Sequence, residues 1–381
     1  MDSVFAAASG AASGTASAVT KLNVVLLFGG RSSEHSISCA TAAGVMGAID
    51  RSKYNLIPVG ITRDGLFVPA VDSVERWALS DGPLPAVEWD GRGIDFAMDG
   101  SRELFLTDAE GVRSSLGAVD VVFPVLHGPF GEDGTMQGFL ELAGIPYVGN
   151  GVFASAAGMD KEFSKSLFVG AGVPATPHVV IREYDWKHNR EAVMAEVGKL
   201  GSAPLFVKPA RAGSSVGVSK VKDMADFDIA VRAALEHDNK VTVEKGLVGR
   251  EVECAVLSSR DGGPARVSVA GEIIVKGRDF YDFEAKYRDE DAVDLVIPAD
   301  LTEAELAEMQ ELARRAFAAI GGFGLARADF FLTADGFFVN ELNTMPGFTQ
   351  YSMYPSLWGA SGLGYADLID ELIQLGLGAK R

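Results

Sequence analysis

Apolar residues come in two rhythms along this chain. The short runs at 23–28, 56–61 and 121–125 are too brief for helices and read as strands. After the first comes Gly29-Gly30-Arg31-Ser32-Ser33 and then a helical stretch at 35–49, so the chain opens as strand, glycine turn and helix, the start of a βαβ unit. Residues 135–143 predict a second helix with Gly144 placed to end it. The span 63–118 is turn-rich and predicts no definite element. Residues 156–170 predict one helix with Lys161 early in it. Strands follow at 204–208, 241–247, 251–257 and 272–275, and the helical rhythm returns at 301–320, where Leu306, Met309, Leu312, Ala313 and Phe317 make a core stripe. A last helix is predicted at 365–375. This alternation over 381 residues predicts an α/β protein of two or three domains, with a hinge near residue 249.

The stretch 324–347 carries the densest chemistry. Strands at 326–332 and 337–342 flank Thr333-Ala334-Asp335-Gly336, which suits a type I turn with Gly336 at positive φ. A three-residue loop would pair Thr333 with Phe337, and counting outward sets Asp329 opposite Glu341 and Arg327 opposite Asn343. Side chains on strands alternate with period two, so these four groups share one face. Two carboxylates, an amide and a guanidinium are costly to bury without a partner, and Mg²⁺ bound to phosphate satisfies such a set. The alternative is a solvated hairpin face with an Arg–Asp pair; the Phe-rich opposite face and the Gly- and Pro-bearing exit favour a site.

Three loops add candidates. Glu34 follows the first glycine turn, where it can meet an ammonium group or simply complement the helix dipole. His127 opens a glycine-dense loop after the strand at 121–125, as a donor to substrate or as a packed loop histidine. Lys208 ends a strand and leads into Ala210–Val218, whose glycines and serines offer N–H and hydroxyl groups to phosphate, or form a plain flexible turn. Neither GxxxxGK[ST] nor GxGxxG occurs, so a nucleotide would be held by another scheme. The polar-aromatic segment 280–290 resembles a lid loop.

Composition narrows the partners. A net charge of −18 argues against nucleic acid while leaving room for a nucleotide enzyme with local positive charge. The two cysteines, Cys39 and Cys254, sit in no metal-ligand spacing and imply no disulfide framework, which fits a reducing compartment. Residues 1–20 are mostly Ala, Ser and Gly and read as a disordered tail rather than a signal peptide. No run of about 18 apolar residues predicts a membrane span.

Five segments in order, FGGRSSEHSIS, HGPFGEDGT, KPARAGSSVG, FYDFEAKY and NELNTMPGFTQYSMYP, together resemble the D-alanine–D-alanine ligases of the ATP-grasp superfamily. The resemblance covers residues 22–377. It implies an α/β, three-domain ATP-grasp architecture with an N-terminal Rossmann-like βαβ domain: 21–149 for substrate, 150–249 as the central subdomain, 250–381 with metal site and lid. It implies ATP as co-substrate and two Mg²⁺ ions, replaceable by Mn²⁺, on Asp329, Glu341 and Asn343. Lys161, Lys208 and the Ser215 loop would hold phosphates; Glu244, Lys245 and Leu247 would border the adenine, and Glu251 would take the ribose. Glu34 would bind the first D-alanine's ammonium with His127 nearby, and Ser352 the second D-alanine's carboxylate. Arg327 and the Gly347 N–H would stabilise an oxyanion. Ser214 and Tyr287 would link to Glu34 on lid closure, and Tyr287 suits peptide rather than ester formation. The resemblance further implies a cytoplasmic enzyme of peptidoglycan synthesis, usually a homodimer. Ala212 departs from the family, some members of which carry an acid there.

Overall fold

The computed structural model describes residues 21–80, 82–213, 216–275 and 293–380. The first part contains β1 (Leu22–Gly29), α1 (His35–Ala48), β2 (Tyr54–Ile61), β3 (Phe67–Pro69), α2 (Val74–Trp77), β4 (Gly93–Phe96), β5 (Glu103–Thr107), β6 (Arg113–Ala118), β7 (Val121–Pro124) and α3 (Thr135–Leu142). One sheet runs β3-β2-β1-β7, with β1 parallel to β2 and to β7, as expected of a βαβ opening. The uninformative span 63–118 does hold strands: β4, β5 and β6 make a separate antiparallel sheet. They are three to six residues long counting β3, and β6 is largely exposed, so no apolar alternation marked them.

Next come α4 (Val152–Met159), α5 (Lys161–Gly170), β8 (His178–Arg182), α6 (Glu183–His188), α7 (Arg190–Gly198), β9 (Leu205–Pro209), β10 (Ser219–Val221), α8 (Phe227–Leu235) and β11 (Lys240–Lys245). The predicted single helix at 156–170 is two helices. Asp160 leaves helical geometry at φ −96°, ψ 108°, and its carboxylate accepts from the N–H groups of Glu162 (3.1 Å) and Phe163 (3.4 Å), capping α5. Strands order β10-β9-β11-β8, all antiparallel, around their own core of Ile181, Val207, Phe227, Val231 and Val243.

The last part contains β12 (Arg250–Leu257), β13 (Arg266–Val275), β14 (Val293–Val296), α9 (Glu303–Ala319), β15 (Leu325–Thr333), β16 (Gly336–Asn343), α10 (Met353–Ala360) and α11 (Tyr365–Gly378). Its antiparallel sheet runs β14-β13-β12-β15-β16. Thr302 and Glu305 form a capping box at the start of α9, which lays Met309, Leu312, Ala313, Ala316 and Phe317 on one face of that sheet together with Phe168 of α5. The sequence gives α10 no clear signal, because eight residues with Pro355 inside them show little helical periodicity. The chain ends meet in one core: Leu368, Ile369, Leu372 and Ile373 of α11 pack with Val24, Leu26 and Phe28 of β1 and Phe123 of β7.

Candidate active site

The hairpin at 325–343 builds the site's floor. Its observed pairs include Asp329 with Glu341 and Arg327 with Asn343, as counted from the sequence, but by another route. The turn is a two-residue loop that pairs Thr333 with Gly336 (φ +100°), not Thr333 with Phe337. That moves the register by one residue. A β-bulge at Asn340 moves it back, so two errors cancel. Ala326, Ala328, Phe330, Phe337, Val339 and Leu342 face the core, and the step from 339 to 342 marks the extra residue.

Above the floor lies a cleft of ≈ 290 Å³ between the β8–β11 sheet and the C-terminal sheet. Lys161, Lys208, Glu244, Lys245, Leu247 and Glu251 all line it, as do Asp329 and Glu341. Phe206, Val218 and Phe331 supply apolar lining. Lys161 is positioned by α5: its N–H donates to Ala210 O (3.0 Å) and its Nζ to Ala212 O (2.9 Å), 3.8 Å from Glu341 Oε2. Lys208 Nζ donates to Glu244 Oε2 at 2.7 Å. Burial alone would raise the Glu244 carboxyl, but the ammoniums of Lys165, Lys208 and Lys161 outweigh it and hold it at about 2. Burial would likewise lower Lys208, and Glu244 outweighs that, holding the ammonium above its usual value.

Arg327 donates to both oxygens of Asp329 at 2.7 Å and lies 2.8 Å from Glu253 Oε2. Those carboxylates overcome burial and keep the guanidinium charged. Asn343 Nδ2 donates to Asp329 Oδ2 at 2.9 Å. Among the described residues no three His, Cys, Asp or Glu side chains gather to hold a metal. The donor set is instead two carboxylates and an amide, which fits Mg²⁺, an ion that completes its shell with water and phosphate oxygens. Presenting the Asn343 oxygen to such an ion needs that amide turned about.

At the far end of the site Glu34 is buried at the start of α1, and a Cβ on Gly128 would meet its Oε2 at 2.9 Å. A Cβ on Gly213 would meet the same oxygen at 3.2 Å, which brings the glycine–serine loop to Glu34. His127 is buried, its Nε2 is 3.2 Å from Thr41 Oγ1, and its ring also meets the Met345 backbone. Burial lowers its pKa, so the ring is neutral at pH 7. Gly347 and Ser352 adjoin: a Cβ on Gly347 would lie 3.2 Å from Ser352 Oγ, which also pairs with Thr349 Oγ1 at 2.8 Å. Ser214, Ser215, Tyr287 and the segment 280–290 lie outside the described residues, as does the tail 1–20.

Four further residues belong here. Lys165, one turn after Lys161, is fully buried beside Glu244. Glu253 on β12 pairs across to Asp329; it shares a face with Glu251, an alternation visible in the sequence. Asn340, the bulged residue, lines the cleft with Glu341. Glu132 accepts from Gly128 N–H (3.0 Å), and burial together with the Glu34 charge raises its carboxyl well above the usual range.

Known proteins resemble this chain over most of its length. Residues 23–150 match the family model described as D-ala D-ala ligase N-terminus, and residues 167–374 that described as D-ala D-ala ligase C-terminus. A D-alanine--D-alanine ligase of Arthrobacter sp. (strain FB24) is 52% identical over 370 residues, covering 96% of this chain and 97% of that protein. One of Paenarthrobacter aurescens (strain TC1) is 53% identical, covering 94% of this chain and 95% of the relative. Among solved structures, the VanG D-Ala:D-Ser ligase from Enterococcus faecalis superposes with TM-score 0.80 at 34% identity, over 94% of this chain and 100% of that one. The D-alanine-D-alanine ligase from Coxiella burnetii gives TM-score 0.77 at 32% identity, over 94% of each chain.

Proposed function

The chain belongs to the D-alanine–D-alanine ligase family, and from that premise we infer that it joins two D-alanines to D-alanyl-D-alanine with conversion of ATP to ADP and phosphate. Its sheets form the multi-domain ATP-grasp fold of that family. The observation that carries the reading is one shared cleft: Lys161, Lys208 and Glu244 line it with Asp329 and Glu341, and Gly213 of the glycine–serine loop approaches Glu34.

In this reading residues 21–149 hold the first amino acid, 150–249 the nucleotide, and 250–381 the metal ligands and lid. Lys161 and Lys208 bind phosphate oxygens with the Ser215 loop, while Glu244, Lys245 and Leu247 border the adenine and Glu251 the ribose. Glu34 takes the first ammonium with neutral His127 beside it. The first carboxylate then attacks the γ-phosphorus, giving an acyl phosphate and ADP. The second amine, bound by its carboxylate at Ser352, attacks that carbonyl and expels phosphate. Arg327 and the Gly347 N–H steady the oxyanion, a role worth about 3–4 kcal/mol per donor in comparable sites. Asp329, Glu341 and Asn343 would hold two Mg²⁺ ions, or Mn²⁺, with Glu341 shared. Bound metal would neutralise phosphate charge during in-line transfer. Ser214 and Tyr287 join Glu34 as the lid excludes water, which protects the acyl phosphate.

We place the protein in the cytoplasm, as a homodimer serving peptidoglycan precursor synthesis. Among the described residues no helix is long and apolar enough to cross a membrane. Phosphate release with ATP and Mg²⁺ tests the reading: it should require D-alanine, and the dipeptide should appear in equal amount. Preference for D-serine or D-lactate as second substrate would overturn the D-alanine assignment, and no turnover with any of them would overturn the enzyme.

A further inference from the structure

The bulge in β16 decides which residues meet at the metal end of the site. Continued from the turn without it, the register would set Asp329 opposite Asn340 and Glu341 opposite Ala328, a residue packed in the core. With it, Glu341 faces Asp329 and both Asn340 and Glu341 line the cleft. A bulged residue takes its backbone out of the regular ladder, so its carbonyl needs another donor. That donor is the ammonium of Lys165, 2.8 Å from Asn340 O.

We propose that Lys165 is a positioning residue, a clip that fixes the bulge and so sets Glu341 against Asp329 for metal and nucleotide; the proposal rests on the ligase reading of the cleft. Lys165 is 0% exposed, and its Nζ also lies 3.3 Å from Glu244 Oε1. Glu244 has Lys208 on its other oxygen at 2.7 Å, and Lys208 reaches Asn340 Oδ1 at 3.5 Å. One ammonium thus ties α5, which begins with the phosphate-side Lys161, to the bulged strand and to the adenine-side strand β11. Lys165 is one of three ammoniums that hold Glu244 charged, yet its shortest contact is with the Asn340 carbonyl, at 2.8 Å against 3.3 Å to Glu244. An apolar side chain of equal length would fill the same seam but take one ammonium from buried Glu244, a destabilising change that is relieved when Glu244 is neutralised as well. What it would also lose is the hold on the Asn340 carbonyl.

The test is Mn²⁺ binding in the presence of a non-hydrolysable ATP analogue, read by electron paramagnetic resonance, for wild type, Lys165→Met and Lys165→Met/Glu244→Gln. Loss of the clip should weaken Mn²⁺ binding about tenfold or more, as outer-shell changes at metal sites do. In Lys165→Met the KM values for both D-alanines should stay near wild type, and metal-free binding of the analogue should change less than Mn²⁺ binding does. The double variant should remain weak. Wild-type Mn²⁺ affinity in Lys165→Met overturns the clip, as does recovery in the double variant, which would reduce the lysine to a counter-ion. If wild type itself fails to bind Mn²⁺ with the analogue, the nucleotide reading falls and takes the clip with it. Lys165→Leu carries the same expectations if the methionine variant does not fold.

Discussion

His35 has its proton placed by its neighbours. Its Nδ1 lies 2.6 Å from Gly30 O, and its Nε2 accepts from Val87 N–H at 2.9 Å. The ring is therefore neutral, and a second proton would break the Val87 bond; burial is the main reason its pKa is lowered. Burial also lowers His127 and His178. In each case the unfolded chain takes up a proton near pH 6.5 while the folded chain resists, so stability falls as pH drops through that value. Urea unfolding from pH 8 to pH 5 should show this decline; a flat profile would contradict the neutral rings. Gly128 is constrained in another way. It sits at φ +73°, and any Cβ there would press on Glu34 Oε2 at 2.9 Å. Gly128→Ala should raise the KM for the first D-alanine at least tenfold and leave that for ATP within about twofold, since the strain falls on the Glu34 pocket. Glu341 is half-buried on the cleft face, so Glu341→Gln should abolish turnover and shift the melting temperature by no more than about 4 °C. Normal activity in that variant would put the metal elsewhere.

At the scale of elements, Asp160 both breaks a helix and anchors it. Beyond capping α5, its carboxylate takes the buried Lys240 ammonium at 2.8 and 2.6 Å. Asp160→Asn keeps a cap acceptor and loses the charge, whereas Asp160→Ala loses both. Chemical denaturation should rank wild type above Asn above Ala, the cap accounting for about 1 kcal/mol of the last step. The break was not legible in the sequence, because the apolar positions of α4 and α5 read as one continuous helical stretch. The hairpin was legible, since two strand-like runs rich in Phe lie on either side of a glycine turn. Its bulge was hidden because Asn340 and Glu341 are both polar and either could face the cleft. Lys165 was hidden for a related reason: by residue type, a lysine on an amphipathic helix looks solvated whether or not it is. Glu34 and His127 could be found because each follows a strand, and Lys208 because it lies at the end of one, where this class of fold presents ligands; Glu132, deeper in its loop, had no such marker.

Across the whole molecule, an acidic chain of net charge −18 keeps Lys161, Lys165, Lys208, Lys220 and Lys245 in or beside one cleft. Glu244, Glu251, Glu253, Asp329 and Glu341 line the same cleft, so the lysines answer carboxylates as well as phosphate and make no net basic field. Salt should therefore weaken binding of the free nucleotide only modestly, measurable by titration between 50 and 500 mM salt, a range over which the Debye length shrinks from roughly 14 to 4 Å.

The sharing of one core by both ends of the chain constrains the order of events at the ribosome. Helix Tyr365–Gly378 supplies Leu368, Leu372 and Ile373 to the first sheet, and its Asp370 accepts from Tyr54 Oη at 2.8 Å. Helix α1 covers part of this face soon after β1 is made, but the part packed by the helix at 365–378 stays open until that helix is made. Vectorial folding, the usual rule for domains, is interrupted here, and a nascent chain stalled before residue 365 should remain a client of holding chaperones.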